Sequence, residues 1–274
     1  MTVEHSQNID GLHPELNTTS IVRSKKRNNG RLTLHDRDVH IWLIYRRSPD
    51  AMLARFESTL ASEEIARANR FRFEHLRRSY VLSRAALRIL LAAYTETVAA
   101  HIQFDYGPSG KPSCRIFSEI SFNVAHSKAV TILAFTRKCE LGVDVEEVRP
   151  LPEMADIARQ FFCPEEAAEL LSLPVQQRQH AFFLCWTRKE AYLKAVGDGI
   201  AAGLNNFRVS LRPGEPARFI YFADQVTSTD RWVLHDLRPV PGYVAALAYS
   251  DTPRKIELVP PIDPAELLEI ASAE

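Results

Sequence analysis

The sequence predicts an α+β protein made of two similar halves with a cleft between them. Three observations carry this reading. Two long apolar-striped segments, "YVLSRAALRILLA" (80–92) and "FFLCWTRKEAYLKA" (182–195), occupy comparable places in the two halves of the chain. A turn followed by an apolar strand recurs as "HSKAVTILAF" (126–135) and "PGYVAALAYS" (241–250). After Pro150 and Pro152 the order of helices and then strands begins again. Self-similarity of this kind points to a duplicated unit, and ligand sites are commonly built where two such units meet.

The elements follow in order. Residues 1–37 are rich in Asn, Ser, Thr and His and include the basic run "RSKKRNNGR", the composition of a solvated, disordered tail. The N-terminal half is read as 38–148 and opens on the strand-like "VHIWLIYRR". "DAMLARFESTLASEEIARANRFRF" is helical, with a break at Ser62, which suits an N-cap followed by Glu63 and Glu64. A longer helix, "HLRRSYVLSRAALRILLAAYTE", leads to the Gly/Pro turn "YGPSGKPSC". Three strands follow, "ISFNVAH", "AVTILAFT" and "LGVDVEEV", and the polar "RKCE" between the last two reads as a hairpin turn. The C-terminal half is read as 149–252: helices "EMADIARQFF" and "PEEAAELLSL", the helix bearing 182–195, then strands "FRVSL", "ARFIYFA", "RWVLHDLR" and "YVAALAYS". Residues 253–274 form an extension, a linker and the short helix "DPAELLEIAS".

Composition excludes several classes. Lys+Arg and Asp+Glu both number 34, so no global basic field points to nucleic acid, and any anion site must be a local cluster. Cys114, Cys139, Cys163 and Cys185 form no CxxC pair and have no His at zinc-ligand spacing, so they read as buried thiols of a reducing cytoplasm. The start is polar, without the apolar core of a secretory signal, and the run "AALRILLAAY" is interrupted by Arg88 and too short to span a bilayer. A cytoplasmic protein with no membrane partner is expected.

Four stretches carry candidate chemistry. At about 100° per residue, Glu190 falls between Phe183 and Trp186 inside the apolar stripe of its helix. Lys194 follows one turn later, and Lys189 points partly into the apolar side. The pair Glu190 and Lys194 fits a solvated helix edge, worth ~0.2–0.5 kcal/mol. It also fits a carboxylate buried for a cation. In "LGVDVEEV", alternation puts Asp144 and Glu146 on one strand face, ~7 Å apart. They suit either a half-exposed edge strand or a hard-cation site, for which magnesium is the natural ion. "FNVAHSKAV" brings His126, Ser127 and Lys128 to a strand end near the open end of the expected hairpin, where an anion contact is plausible. In "GPSGKP", Lys111 and Pro112 follow a glycine turn whose N–H groups can approach phosphate, although the spacing is not that of a Walker loop.

Together these stretches resemble the 4′-phosphopantetheinyl transferases of the surfactin-synthetase-activating type. The resemblance rests on ordered motifs: "GKP" (110–112), "FNVAHS" (122–127), "GVDVE" (142–146) and "WTRKEAYLKA" (186–195), the last matching W-x-x-K-E-(A/S)-x-x-K. It covers residues from about 38 to 250 and implies two α/β halves related by pseudo-twofold symmetry, with the active site in the cleft between them. It implies transfer of the phosphopantetheine arm of coenzyme A to a serine of an acyl or peptidyl carrier protein, releasing adenosine 3′,5′-bisphosphate. It further implies Asp144, Glu146 and Glu190 as magnesium-binding acids, with Glu190 the candidate base. Lys194 is the lysine near the reacting phosphate, and Lys189 of the same motif is taken with it among the coenzyme A contacts. His126 contacts the coenzyme A phosphates, and Lys111 and Pro112 form the adenine-side loop. Arg67 and Arg78 match the grip on the 3′-phosphate. Where the family often reads Ser-His-Ser, this chain has Ala125, so one hydroxyl contact is missing. Two similar halves act as a built-in pseudo-dimer, so a monomer is expected. The competing readings are an inactive coenzyme A-binding protein and a metal-dependent phosphohydrolase of small nucleotides.

Overall fold

The computed structural model describes residues 21–23, 32–46, 50–197, 203–223 and 227–272. The first sheet unit runs β1 (Ile21–Arg23), β2 (Asp38–Tyr45), α1 (Asp50–Glu57), α2 (Ser62–Ala68), α3 (Glu74–Thr95), β3 (Phe104–Tyr106), β4 (Pro112–Cys114), β5 (Ile120–Ser127) and β6 (Val130–Arg137). The second runs β7 (Leu141–Glu147), α4 (Met154–Phe161), α5 (Pro164–Ser172), α6 (Val175–Val196), β8 (Phe207–Val209), β9 (Phe219–Phe222), β10 (Trp232–Leu237) and β11 (Tyr243–Ser250). The chain closes with β12 (Lys255–Leu258) and α7 (Pro264–Ala271). From β2 to β6 and from β7 to β11 the same order of strand, three helices, short hairpin and two strands occurs twice, which makes the expected repeat concrete.

Strand pairing places the join between the repeats. The larger sheet has the order β1-β12-β2-β6-β5 and the smaller the order β10-β11-β7. β7 pairs antiparallel with β11, so "RKCE" carries the chain from one sheet to the other and is not a hairpin turn. A division at 148/149 would cut the second sheet; hydrogen bonding puts the join before Leu141. Two further expectations change. Residues 21–23, inside the stretch read as a tail, pair parallel with β12, while residues 1–20 and 24–31 lie outside the described residues. The C-terminal extension is no plain linker, because β12 inserts between β1 and β2.

Alternation along the strands builds three cores. Trp42, Ile44, Phe122, Leu133 and Phe135 face α3 and α7. Ile41, Leu43, Ile132, Val143, Val145 and Leu247 fill the space between the sheets. Ala246, Ala248 and Leu234 meet α6 through Phe182, Phe183 and Leu193. Each fully buried Leu, Ile or Phe contributes ~1.5–3 kcal/mol relative to exposure.

The helix ends are capped locally. The N-cap of α2 is Ala61 and not Ser62: the Glu64 carboxylate accepts from the Ala61 N–H at 3.0 Å. Glu166 does the same for the Cys163 N–H at 3.1 Å at the start of α5, where Pro164 occupies the first helical position. α6 ends on Gly197 at φ 81°, whose N–H reaches the Leu193 carbonyl at 2.9 Å.

One glycine sets the height of α6. A Cβ on Gly142 would lie 2.0 Å from the Ala191 carbonyl oxygen and 2.4 Å from the Ala195 nitrogen. Only glycine lets the helix settle this close to β7.

Candidate active site

The site grows from β7. Val143 and Val145 point into the core between the sheets, so alternation turns Asp144 and Glu146 the other way, toward α6. α6 answers with Glu190 and, one turn on, Lys194. Asp144 is 5% exposed and Glu190 8%, so neither is a solvated edge acid. The Lys194 ammonium lies 2.6 Å from Asp144 Oδ1. The other Asp144 oxygen and one Glu190 oxygen, Oε1, are buried with no hydrogen-bond partner among the described residues.

This arrangement sets the electrostatics. Burial pushes the Asp144 pKa up to about 7, against the pull of Lys194, and the charges of Glu190 and Glu146 add to the rise. Burial likewise raises Glu190, with Lys194 opposing and Glu146 reinforcing. Three carboxylates thus share one enclosure and repel each other, with a single lysine among them. Among the described residues, no three His, Cys, Asp or Glu side chains are gathered closely enough to enclose a metal as they stand.

β5 supplies the opposite wall. It does not ladder with β7; side chains bridge the gap. Asn123 Oδ1 accepts from the Val143 N–H at 2.9 Å, and the Ser127 hydroxyl oxygen accepts from the Glu147 N–H at 3.2 Å. Ser127 in turn donates to Glu146 Oε2 at 2.9 Å, and Arg149 reaches the same oxygen at 3.4 Å. Ser127 is therefore committed to orienting Glu146 and is not a free anion contact. His126 stands beside the tight β5–β6 turn rather than at the open end of a β6–β7 hairpin. Its partial enclosure, the charge of Arg46 and then that of Lys194 hold its pKa below the ordinary histidine value, which favours the neutral ring.

The remaining sequence candidates divide. Lys189 is corrected: it is fully buried, 2.8 Å from Glu166, and its ammonium donates to the carbonyls of Leu204 and Phe207. It braces α5 and the start of β8 against α6. The Lys111 ammonium donates to the Leu141 carbonyl at 3.0 Å and the Ala195 carbonyl at 2.6 Å, with its pKa lowered to about 8 by burial. Its charge is committed to tying β7 to the last turn of α6. The glycine N–H groups of that loop are also used internally, Gly107 to Lys111 and Gly110 to Gly107, both at 2.9 Å. The loop thus does not present them to phosphate. Pro112, half-buried, opens β4 beside it. Arg67 is exposed with its guanidinium over the Tyr80 ring, and Arg78 bonds Glu74 at 3.0 Å, so both sit at the α2–α3 end of the first sheet unit. Sequence reading passed over Arg46 and Asn123, whose partners lie far along the chain, and Arg149, whose partner Glu146 is three residues away.

Comparison with known proteins agrees with this geometry. Residues 140–248 match the model of the 4′-phosphopantetheinyl transferase superfamily, and residues 48–138 match the model described as 4′-phosphopantetheinyl transferase, N-terminal. The join between the two matches falls where β7 changes sheets. The 4′-phosphopantetheinyl transferase HetI of Nostoc sp. strain PCC 7120 is 39% identical over 222 residues, covering 80% of this chain and 90% of that protein. The 4′-phosphopantetheinyl transferase Sfp of Bacillus subtilis is 27% identical over 157 residues, covering 57% of this chain and 69% of that protein. With its motifs on facing elements and a relative of this identity aligned over nearly its full length, the chain belongs to the 4′-phosphopantetheinyl transferase superfamily.

Proposed function

We propose that the enclosure between β7, α6 and the end of β5 transfers the phosphopantetheine arm of coenzyme A to a serine of a carrier protein. The observation that carries this is the pair of orphaned buried carboxylate oxygens, on Asp144 and Glu190, beside Lys194. Acids whose ionised forms are this costly to bury suit a bound hard cation. Asp144, Glu146 and Glu190 would hold Mg2+, which when bound neutralises charge on the pyrophosphate oxygens.

The protein's own groups do the rest. The carrier serine oxygen attacks the phosphorus bearing pantetheine, and the bond from that phosphorus to the oxygen bridging to adenosine bisphosphate breaks. Glu190 takes the serine proton. Lys194, released from Asp144, stabilises charge growing on the departing phosphate. Neutral His126 donates a hydrogen bond to a phosphate oxygen, and Ser127 keeps Glu146 aimed at the cation. Arg67 and Arg78 grip the 3′-phosphate at the α2–α3 end, and Pro112 lies on the adenine side.

The chain acts as a monomer in the cytoplasm on this reading, which is supported by its built-in repeat and its free cysteines. No helix of the described residues is long and apolar enough to cross a membrane. The test is Asp144→Ala with an apo carrier, coenzyme A and Mg2+, followed by intact mass. Transfer should be lost while circular dichroism is unchanged; near-normal transfer would remove the metal assignment. A wild-type chain that binds coenzyme A but never modifies any carrier in a panel would favour the inactive binding protein.

A further inference from the structure

We infer that Arg46 is an anion-binding residue of the coenzyme A site, giving a guanidinium contact to one of its phosphate groups. The inference rests on the function proposed above, and it concerns a residue outside every motif that identified the family.

Arg46 follows the last residue of β2 and extends the ladder, its N–H donating to the Ala129 carbonyl at 2.8 Å. Its guanidinium donates to the Lys128 carbonyl at 3.2 Å. Lys128 holds the turn in a left-handed conformation, φ 45°. Ile44, Thr131 and His126 form one row across the sheet. Strand alternation puts Arg46 on the same face as that row. This is the face toward α3, because the Ser83 hydroxyl of that helix bonds Thr131 at 2.8 Å. Arg46 and His126 therefore share one face at one end of the sheet, the end that reaches Glu146 and Lys194.

Among the described residues, Arg46 combines a half-buried guanidinium, no carboxylate partner and an idle buried donor. The buried cations each have a carboxylate: Arg88 has Glu64, Arg188 has Asp236, Lys189 has Glu166 and Arg254 has Asp251; half-buried Lys111 has two carbonyls for its ammonium. Arg46 is half-buried, its Nε is a buried donor with no acceptor, and no carboxylate among the described residues pairs with it. Burial lowers its pKa. A half-buried guanidinium with an idle N–H costs stability unless an anion completes it. Its field and that of Lys194 both act on His126, so cations converge on this corner from the end of β2 and from α6. A phosphate group matches the fork of N–H donors that arginine presents.

The experiment uses the purified full chain and its Arg46→Gln and Arg46→Lys variants. Calorimetric titration with coenzyme A and with dephospho-coenzyme A is run at two salt concentrations, alongside thermal unfolding. Arg46→Gln should weaken coenzyme A binding by ~10–100-fold, the range for one hydrogen bond to a charged group. Binding should also become less salt-dependent, and Arg46→Lys should recover part of the loss. A penalty that disappears with dephospho-coenzyme A assigns the contact to the 3′-phosphate; one that persists assigns it to the pyrophosphate. Binding by Arg46→Gln within about twofold of wild type would overturn the inference. So would equal losses in both variants with a lower melting temperature and unchanged salt dependence, which would make Arg46 a brace of the 126–129 turn. A wild-type chain that binds no coenzyme A would instead overturn the functional reading itself.

Discussion

The two repeats use one architecture for opposite ends. α3 and α6 each span 22 residues, and each carries a buried cation as its fifteenth, Arg88 and Lys189. Each cation meets a glutamate that also caps the preceding short helix, Glu64 or Glu166, and each donates to two carbonyls after its helix. The next residue is Ile89 in the first repeat and Glu190 in the second. On the facing strands, Trp42 pairs with Leu133, and Asp144 pairs with Ala246, the fourth residues of β6 and β11. The first repeat thus fills the helix–sheet space with Trp42, Ile44 and Ile89, where the second places Asp144, Glu146 and Glu190. The packing distance differs too. Opposite the close approach of Gly142 to Ala195, the first repeat has His40 hydrogen-bonded to Tyr94 at 2.8 Å. A bulky pair holds α3 off its sheet, whereas a glycine and an alanine let α6 bring Glu190 down to β7. The comparison divides shared hubs, which brace the scaffold, from unmatched positions, where the proposed chemistry lies.

The sharpest way to break that division is at the unmatched glutamate. Glu190→Gln should lower turnover by ~10²–10⁴-fold, the usual contribution of a positioned base, with coenzyme A affinity nearly kept. Turnover within a few-fold of wild type would return Glu190 to a structural role. Next come the hubs. Glu64→Ala and Glu166→Ala each strand a buried cation and should cost ~3–5 kcal/mol in denaturant unfolding. Similar losses from both would support equivalent scaffold roles, whereas a loss from one alone would end the equivalence. Gly142→Ala forces α6 outward and should cost ~1–3 kcal/mol. It should also depress transfer beyond what the residual folded fraction explains.

The smallest effect has the opposite sign. The Asp144 pKa of about 7 in the folded chain exceeds the usual aspartate value of 3.8. Between these values the native state holds a proton that the unfolded state has released. Stability therefore falls as pH rises from about 4 to about 7, then levels off. Asp144→Asn removes that titration. Without metal, the variant should be more stable than wild type above pH 7, by on the order of 1 kcal/mol, and should lose transfer. An unchanged stability profile between pH 4 and 8 would show that the acid is not held at this cost.

Much of this was legible in the chain. Helical periodicity located α3 and α6, and strand alternation put Asp144 and Glu146 on one face. The misplaced charge of Glu190 among aromatics marked a candidate position before any fold was known. What stayed hidden depends on partners far along the chain. Lys189 lies on the apolar side of its helix, but its glutamate is on another helix, so a structural cation read as a ligand contact. Lys111 follows a phosphate-like loop, yet its acceptors belong to β7 and α6. The choice of β11 over β6 as the partner of β7 leaves no mark in "RKCE", because any polar linker can turn a hairpin or cross between sheets.

The place of β12 has a consequence for how the molecule comes apart. This last strand lies between β1 and β2, so the entire second repeat is strung between two strands of the first sheet. Lys111 adds a tie in the other direction, from the loop of the first repeat to the backbone of the second. Two duplicated units joined end to end could melt one after the other. Units laced together in this way gain cooperativity instead, since peeling away β12 opens an edge of β2 and loosens the frame around the acids. The duplication is thus expected to unfold as one unit, with the first repeat, which packs Trp42, Ile44 and Ile89 where the second has acids, lending it rigidity.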